Sequence, residues 1–339
     1  MDKSGAKTGI TLMLAPVQVT RNQQTSHTAI ATTRTNYPMN IKETIIEALK
    51  EGPKTLQELY NIVDAKKHTI RARLNESVGT HFKRVGRGWY ALFNDETGGS
   101  ALIIQGDAWE ILPKLESDSF DSLITDSPYT AMDEQMQKGV SRKRNLNRGW
   151  NFKTKDVDLP LMNELYRVLK PSGFFFTMLP AMRADTWDYN ANHKALAEQA
   201  GFNFCAQWVW DKQAISLGYC GRPRHELIFM FVKGKFAAKN THDRSIPDVL
   251  AHKRVPWQRQ MVYDTDENDE DIRQQTQKPA SLIEDIMKFA TGKGGRVLDP
   301  FAGSCSLGEA ALNLGRHAVC IEFNSKVAES AFFRLANLG

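Results

Sequence analysis

The stretch that most constrains the fold runs from Arg296 to Asn324, "RVLDPFAGSCSLGEAALNLGRHAVCIEFN". It opens with a short apolar run ending in Asp299 and passes through a turn of small residues. A helical pattern over "SLGEAALNLG" follows, then a second apolar run ending in Glu322. Strand, turn, helix and strand in that order build a parallel pair joined by a crossover helix. The same alternation runs from Ala101 onward. Predicted strands are "ALIIQGD", "DSLITD", "GFFFTML", "FCAQWVWD", "ELIFMFVKG", "RVLDPF" and "HAVCIEF". Helical patterns "DLPLMNELYRVL", "HKALAEQAG", "SLIEDIMKFAT" and "SLGEAALNLG" sit between several of them, and "SKVAESAFFRLANL" closes the chain. This spacing predicts an α/β domain with a mostly parallel sheet over residues 101–339.

The first part of the chain reads differently. Residues 1–38 are rich in Thr, Ser, Asn and Gln without an apolar period, a composition that buries too little surface to offset ordering entropy. They are expected to be a disordered tail. "NIKETIIEALKEG" then carries Ile41, Ile45, Ile46 and Leu49 at helical spacing and stops at Gly52-Pro53. "TLQELYNIVD" offers Thr55 as N-cap with Glu58 at the third position after it, and "AKKHTIRARLNESV" carries Lys66, Lys67, His68, Arg71 and Arg73. "FKRVGRGWYALF" predicts a two-stranded ribbon turning at Gly86-Arg87-Gly88. Helices and hairpin in this order resemble a winged helix-turn-helix, a small α+β domain over residues 39–94. In that resemblance a basic helix enters a groove of nucleic acid and the basic wing touches phosphate. A small protein-interaction module with solvated Lys and Arg is the alternative; charge on both helix and wing favours nucleic acid. Residues 95–100 are polar and Gly-rich and read as a linker.

With 339 residues, 41% hydrophobic and 24% charged, the chain can fill one large core and one smaller one. No apolar run approaches the roughly 20 residues that span a bilayer, and the N-terminus lacks a signal peptide's apolar core. No membrane partner and a cytoplasmic location are expected. Cys205, Cys220, Cys305 and Cys320 lie far apart without CxxC spacing, so neither a zinc site nor a disulfide framework is predicted and no metal is expected. A net charge of +5 admits an acidic partner such as nucleic acid without demanding one.

In an open α/β sheet, ligands bind beyond the carboxyl ends of strands, where small residues let backbone N–H groups approach at a helix N-terminus. Gly303 and Gly308 flank such a helix start, and Glu322 at the end of the next strand is placed to accept hydrogen bonds from ribose hydroxyls. The string "VLDPFAGSCS" resembles the S-adenosyl-L-methionine motif of amino-DNA methyltransferases, whose usual form is DPFxGSGT. The resemblance implies a cofactor site built from Asp299, Pro300, Phe301, Gly303, Ser304 and Glu322. Cys305 stands where the family usually has Gly, and Ser306 where Thr is common. The Cβ of Cys305 makes a left-handed backbone there costly. Upstream, "TQKPASLIEDIMKFAT" resembles the family motif preceding that strand. By that resemblance Thr276, Gln277, Lys278 and Pro279 flank the methionine end of the cofactor; alone, the same turn is an ordinary helix start with Pro279 in its first turn.

The family also has a counterpart for "TDSPY", the D/N/S-P-P-Y catalytic motif, written here as Asp126, Ser127, Pro128 and Tyr129. The second position departs from the commoner Pro. An exocyclic base amine is a poor nucleophile because its lone pair is delocalised into the ring. A side-chain oxygen and a backbone carbonyl that accept both amine hydrogens hold it in place and favour its tetrahedral form. Asp126 supplies the first acceptor and the Ser127 carbonyl the second, Pro128 stiffens the loop, and Tyr129 offers an aromatic face to an extruded base. Read without the cofactor string, Asp126 is a cap after a strand and Tyr129 a rim aromatic.

"LIIQGDAWEILPKLESDSFDSLITD" resembles the family's lead-in to the catalytic strand and implies that Asp107 lies near the cofactor's adenine. "ELYRVLKPSGFFFTM" matches the helix, turn and strand that follow, and "WVWDK" and "RPRHELIFMFVKGK" the later strands, with Arg222, Arg224 and His225 either beside the target pocket by analogy or on a hairpin with surface charge. The catalytic motif precedes the cofactor motif, the β-type order of a circularly permuted, Rossmann-like methyltransferase sheet. "ALIIQGD" must then lie beside "HAVCIEF". The resemblance implies target recognition in residues 236–275, which include the basic and aromatic "HKRVPWQRQMVYD". The acid-free stretch Lys138 to Lys155 is either a clamp on DNA, with Trp150 or Phe152 packing near the base, or a charged surface loop.

The resemblance therefore implies a site-specific methyltransferase acting on double-stranded DNA. Adenine N6 is the preferred acceptor because Asp opens the catalytic motif, whereas cytosine N4 enzymes more often open with Ser. Cytosine N4, an RNA target, and a DNA-binding regulator with an inactive scaffold are the rivals. A homodimer and a cognate restriction endonuclease are further partners open to such an enzyme.

Overall fold

The computed structural model describes residues 11–15, 44–45, 48, 54–70, 82–86, 89–92, 98–128, 155–183, 186–216, 221–265, 271–274 and 276–336. The first elements are β1 (Thr11–Ala15), β2 (Lys54–Thr55), α1 (Leu56–Ile62), β3 (Phe82–Gly86) and β4 (Trp89–Leu92). Strands β2, β4 and β3 form an antiparallel sheet of their own. Thr55 heads α1 with a complete capping box: its hydroxyl accepts from Glu58 N at 3.1 Å while Thr55 N donates to Glu58 Oε2 at 2.6 Å. Ile45, Leu59, Val63 and Ile70 bury one another in a small separate core. Arg71, Arg73 and the turn at Arg87-Gly88 lie outside the described residues.

The expected disordered tail over residues 1–38 is interrupted at β1. "TLMLA" pairs antiparallel with β5 (Ser100–Gln105), Thr11 opposite Gln105 and Ala15 opposite Ala101. An open edge strand offers a row of unpaired backbone groups, and this charge-free run supplies their partners. Ser100, read as the last linker residue, is instead the first residue of β5.

After β5 come α2 (Ala108–Ile111), β6 (Phe120–Asp126), α3 (Leu159–Val168), β7 (Leu169–Leu179), α4 (Trp187–Gln199), β8 (Phe202–Asp211) and β9 (His225–Lys233). The chain continues through β10 (Val249–Ala251), β11 (Val262–Thr265), β12 (Asp271–Arg273), α5 (Ala280–Ala290), β13 (Arg296–Asp299), α6 (Ser306–Leu314), β14 (His317–Glu322) and α7 (Ser325–Ala336). Among the described residues nine strands form one sheet in the order β1-β5-β14-β13-β6-β7-β9-β8-β10. The central run from β5 to β7 is parallel throughout, and β9 inserts antiparallel between β7 and β8. "ALIIQGD" does lie beside "HAVCIEF", with Ala101 opposite Ala318 and Gln105 opposite Glu322. Residues 236–275, which showed little regular pattern, contribute β10 to the sheet edge and the β11–β12 hairpin.

Alternation across the sheet divides the core. Phe174 and Phe176 pack with Leu282, Ile286 and Ala310 of α5 and α6, whereas Phe175 faces Leu161, Leu165 and Ala197 of α3 and α4. Each ring is fully buried and contributes about 2 kcal/mol in transfer terms. The Lys-Pro-Ser-Gly turn ahead of them is a bulge: Phe120 pairs with Leu169, but Ser122 already pairs with Phe174. Ser172 takes φ 60° within it.

The parallel run aims the carboxyl ends of β5, β14, β13 and β6 at one edge of the sheet. Because β9 is antiparallel, its first residues, His225 and Glu226, arrive at that same edge.

Candidate active site

A cavity of about 320 Å³ opens at this edge. Asp107, Asp126, Ser127, Pro128, Thr276, Lys278, Asp299, Pro300, Phe301, Gly303, Ser304 and Glu322 all line it. Pro279 is buried outside the lining, where it occupies the N-cap position of α5. Tyr129 lies outside the described residues, as do Trp150 and Phe152.

Backbone donors hold the acids at one end. Glu322 Oε2 accepts from Gly303 N and Oε1 from Asn324 N, each at 2.8 Å. Asp299 Oδ1 accepts from Thr125 Oγ1 at 2.6 Å and from Phe301 N at 3.0 Å, tying the end of β13 to the neighbouring β6. Burial pushes the Asp299 carboxyl up to about 7 against these hydrogen bonds, and burial likewise raises Glu322. Asp107 caps α2, its Oδ1 accepting from Trp109 N at 2.9 Å.

Two left-handed residues shape the loop between β13 and α6. Gly303 has φ +50°, and a Cβ there would sit 3.1 Å from Gln274 Nε2. Cys305 has φ 58° and ψ 45°, the left-handed geometry that its Cβ opposes, and its side chain is fully buried.

An ammonium holds the acid at the other end. Lys278 Nζ donates to Asp126 Oδ2 and also lies 3.6 Å from Glu226 Oε2. The Lys278 side chain is 10% exposed and that of Asp126 35%. Burial raises the Asp126 carboxyl, Lys278 pulls it down and Glu226 raises it again, leaving it above the ordinary aspartate value of 3.8. Burial alone would lower Lys278, but the carboxylates of Asp126 and Glu226 outweigh it and hold the ammonium at about 12. The backbone beyond Asp126 is fixed from both sides: Ser127 Oγ meets Thr177 Oγ1 at 2.9 Å, and Tyr189 OH donates to the Pro128 carbonyl at 2.9 Å.

The DNA methylase family model matches residues 120–333, from β6 through α7, and so takes in both ends of the cavity. The chain belongs to this DNA methylase family. The putative methylase YubD of Escherichia coli (strain K12) is 28% identical over 237 residues, covering 69% of this chain and 89% of its own. Type II methyltransferase M.HpaI of Haemophilus parainfluenzae is 28% identical over 255 residues, 69% of this chain and 73% of its own. DNA adenine methyltransferase YhdJ of Escherichia coli (strain K12) is 26% identical, over 69% of this chain and 82% of its own. Among solved structures, the PvuII DNA methyltransferase (cytosine-N4-specific) shares the fold with a TM-score of 0.51 at 15% identity, covering 70% of this chain and 86% of that one.

In this DNA methylase the sequence reading missed several cavity neighbours. Trp109 lines the wall, its ring tilted 5.7 Å from Phe301 and its Nε1 donating to Asp158 Oδ1 at 2.8 Å, with Lys155 Nζ 4.3 Å over its face. The only hint was an aromatic close behind Asp107. Glu226 carries no signal of its own in the sequence beside Arg222, Arg224 and His225. Of these, Arg224 forms a bidentate pair with Asp211 at 2.7 Å, and Arg222 Nε donates to the Ser216 carbonyl at 3.0 Å; neither lines the cavity. Among the described residues no helix is long and apolar enough to cross a membrane.

Proposed function

We propose that this chain transfers the methyl group of S-adenosyl-L-methionine to the exocyclic N6 amine of adenine in double-stranded DNA. The observation that carries the reading is the single cavity joining Asp126 and the Ser127-Pro128 backbone to the Asp299–Glu322 loop. The lining fits the cofactor. Asp107, Asp126, Asp299 and Glu322 outnumber Lys155 and Lys278, which suits a ligand carrying a sulfonium and an ammonium. Glu322, fixed by two backbone N–H groups, keeps lone pairs for ribose hydroxyls, and Trp109 and Phe301 offer apolar faces for adenine. When bound, S-adenosylmethionine supplies a methyl group already activated by its sulfonium. Thr276, Lys278, Gly303 and Ser304 complete the walls around it.

Asp126 accepts one hydrogen of the target amine through the carboxylate oxygen turned away from Lys278, and the Ser127 carbonyl accepts the other. Together they fix the amine's orientation and favour its tetrahedral form. The buried hydroxyl pair Ser127–Thr177 and the Tyr189–Pro128 hydrogen bond hold that backbone still. Asp at the first motif position supports adenine. Exposed Lys66, Lys67 and His68, where a helix begins, support duplex DNA contact by residues 39–94 read as a winged helix-turn-helix. The insertion of β13 and β14 between β5 and β6 supports a permuted sheet.

The test is base-resolved mapping of modified DNA from cells expressing the full chain, beside Asp126→Ala. Wild type is expected to leave N6-methyladenine in one short motif. Asp126→Ala is expected to leave none, while its cofactor affinity stays within about threefold. N4-methylcytosine would overturn the acceptor and keep the role of Asp126. Bound cofactor with unmodified DNA would overturn the DNA substrate.

A further inference from the structure

Amine acceptance by Asp126 requires no second acid, yet β9 delivers one. Glu226 lies between two lysines, Oε1 at 3.2 Å from Lys212 Nζ and Oε2 at 3.6 Å from Lys278 Nζ. Lys278 Nζ in turn bonds Asp126 Oδ2, with the Thr276 carbonyl at 3.4 Å and the Trp210 ring centroid at 5.9 Å. The result is a row of alternating charge, Lys212, Glu226, Lys278, Asp126. Lys212 and Lys278 are 12% and 10% exposed, so water screens little of their attraction. One ammonium divided between two carboxylates holds each less firmly than it would hold one alone.

We propose that Glu226 is a positioning residue that draws Lys278 partly off Asp126 and so keeps that carboxylate available to the target amine. The inference rests on Asp126 being the amine acceptor. Asp126 is faced by Lys278 ahead of α5, Glu226 on β9 and Asp299 on β13; Lys212, following β8, reaches it only through Glu226. Removing the Glu226 charge leaves Lys278 to Asp126 alone, which draws charge from the carboxylate, weakens it as an acceptor and favours its ionised form.

The experiment uses the full chain with duplex DNA and S-adenosylmethionine, comparing wild type, Glu226→Gln and Lys212→Met. Glu226→Gln is expected to lower kcat about tenfold with an unchanged KM for the cofactor, and to move the acid limb of the kcat–pH profile down by about half a unit. Lys212→Met frees Glu226 for Lys278 and is expected to move that limb up. A Glu226→Gln profile superimposed on wild type would overturn the proposal, and so would a loss of cofactor affinity matching the loss of rate. Asp126→Ala separates the two readings. Retained transfer in that variant removes the acceptor role itself, whereas an inactive Asp126→Ala beside an unchanged Glu226→Gln removes only the role of Glu226.

Discussion

The two ends of the cavity hold their acids by different means, Glu322 by the main-chain N–H groups of Gly303 and Asn324, and Asp126 by the side chain of Lys278. A main-chain N–H does not titrate and moves only when the loop moves. An ammonium on a four-carbon stem can trade partners, and Lys278 already has a second one in Glu226. Topology sets the contrast. Adjacent parallel strands β13 and β14 bring Glu322 to the loop after Asp299, whereas Asp126 meets a lysine 152 positions away in sequence. A fixed end suits a ligand that returns unchanged in shape at every turnover. On the proposed function, the adaptable end is the one that meets a new target base at each turnover.

The largest break in this contrast comes from Glu322→Ala. The substitution removes the proposed ribose acceptor and leaves the N–H groups of Gly303 and Asn324 without their partner. Cofactor affinity by calorimetry is expected to fall about 100-fold. The unfolding free energy in urea is expected to fall by about 1–3 kcal/mol. An affinity change below threefold would show that the backbone-held end is not the binding end. Asp126→Ala is expected to give the reverse pattern, rate lost and affinity kept.

Asp299 sharpens the comparison through pH. Its folded pKa of about 7 lies above the unfolded 3.8, so the unfolded chain ionises first and stability is lost as pH rises through that window. Asp299→Asn keeps an acceptor for Thr125 and Phe301 without the charge. Urea melts of the cofactor-free protein are expected to show the variant more stable at pH 8 by roughly 2 kcal/mol, with no gain at pH 4. Equal gains at both values would place the effect in packing instead of ionisation.

Strand-end acids were legible because apolar runs of strand length stop at Asp126, Asp299 and Glu322, and a parallel sheet collects such ends at one edge. The partnership of Lys278 with Asp126 was not. "TQKP" signals only a helix start, and the resemblance places the lysine beside the cofactor, while its ammonium reaches Asp126 at the end of β6. Glu226 was hidden for a related reason. Nothing in "ELIFMF" says that the strand enters the sheet antiparallel, and in a parallel setting the same acid would begin at the opposite edge. "TLMLA" was masked by scale, a short run inside a polar segment whose pairing with β5 no local pattern announces.

Cys305 gives the smallest effect and the cleanest one. The family's usual Gly at this position carries no penalty at φ 58°, whereas Cys carries one and buries a thiol in compensation. That thiol packs against Gly308, where any added Cβ would come within 2.6 Å of Cys305 Sγ. Cys305→Ala loses the thiol and keeps the strain; Cys305→Gly loses both but gains freedom in the unfolded chain. Both variants are expected to be less stable than wild type, with Gly above Ala by roughly 0.5–1 kcal/mol after that chain entropy is counted. If Ala matched Gly, the left-handed turn would cost no more than the chain entropy that Gly adds, and the backbone-held end would store little strain at Cys305.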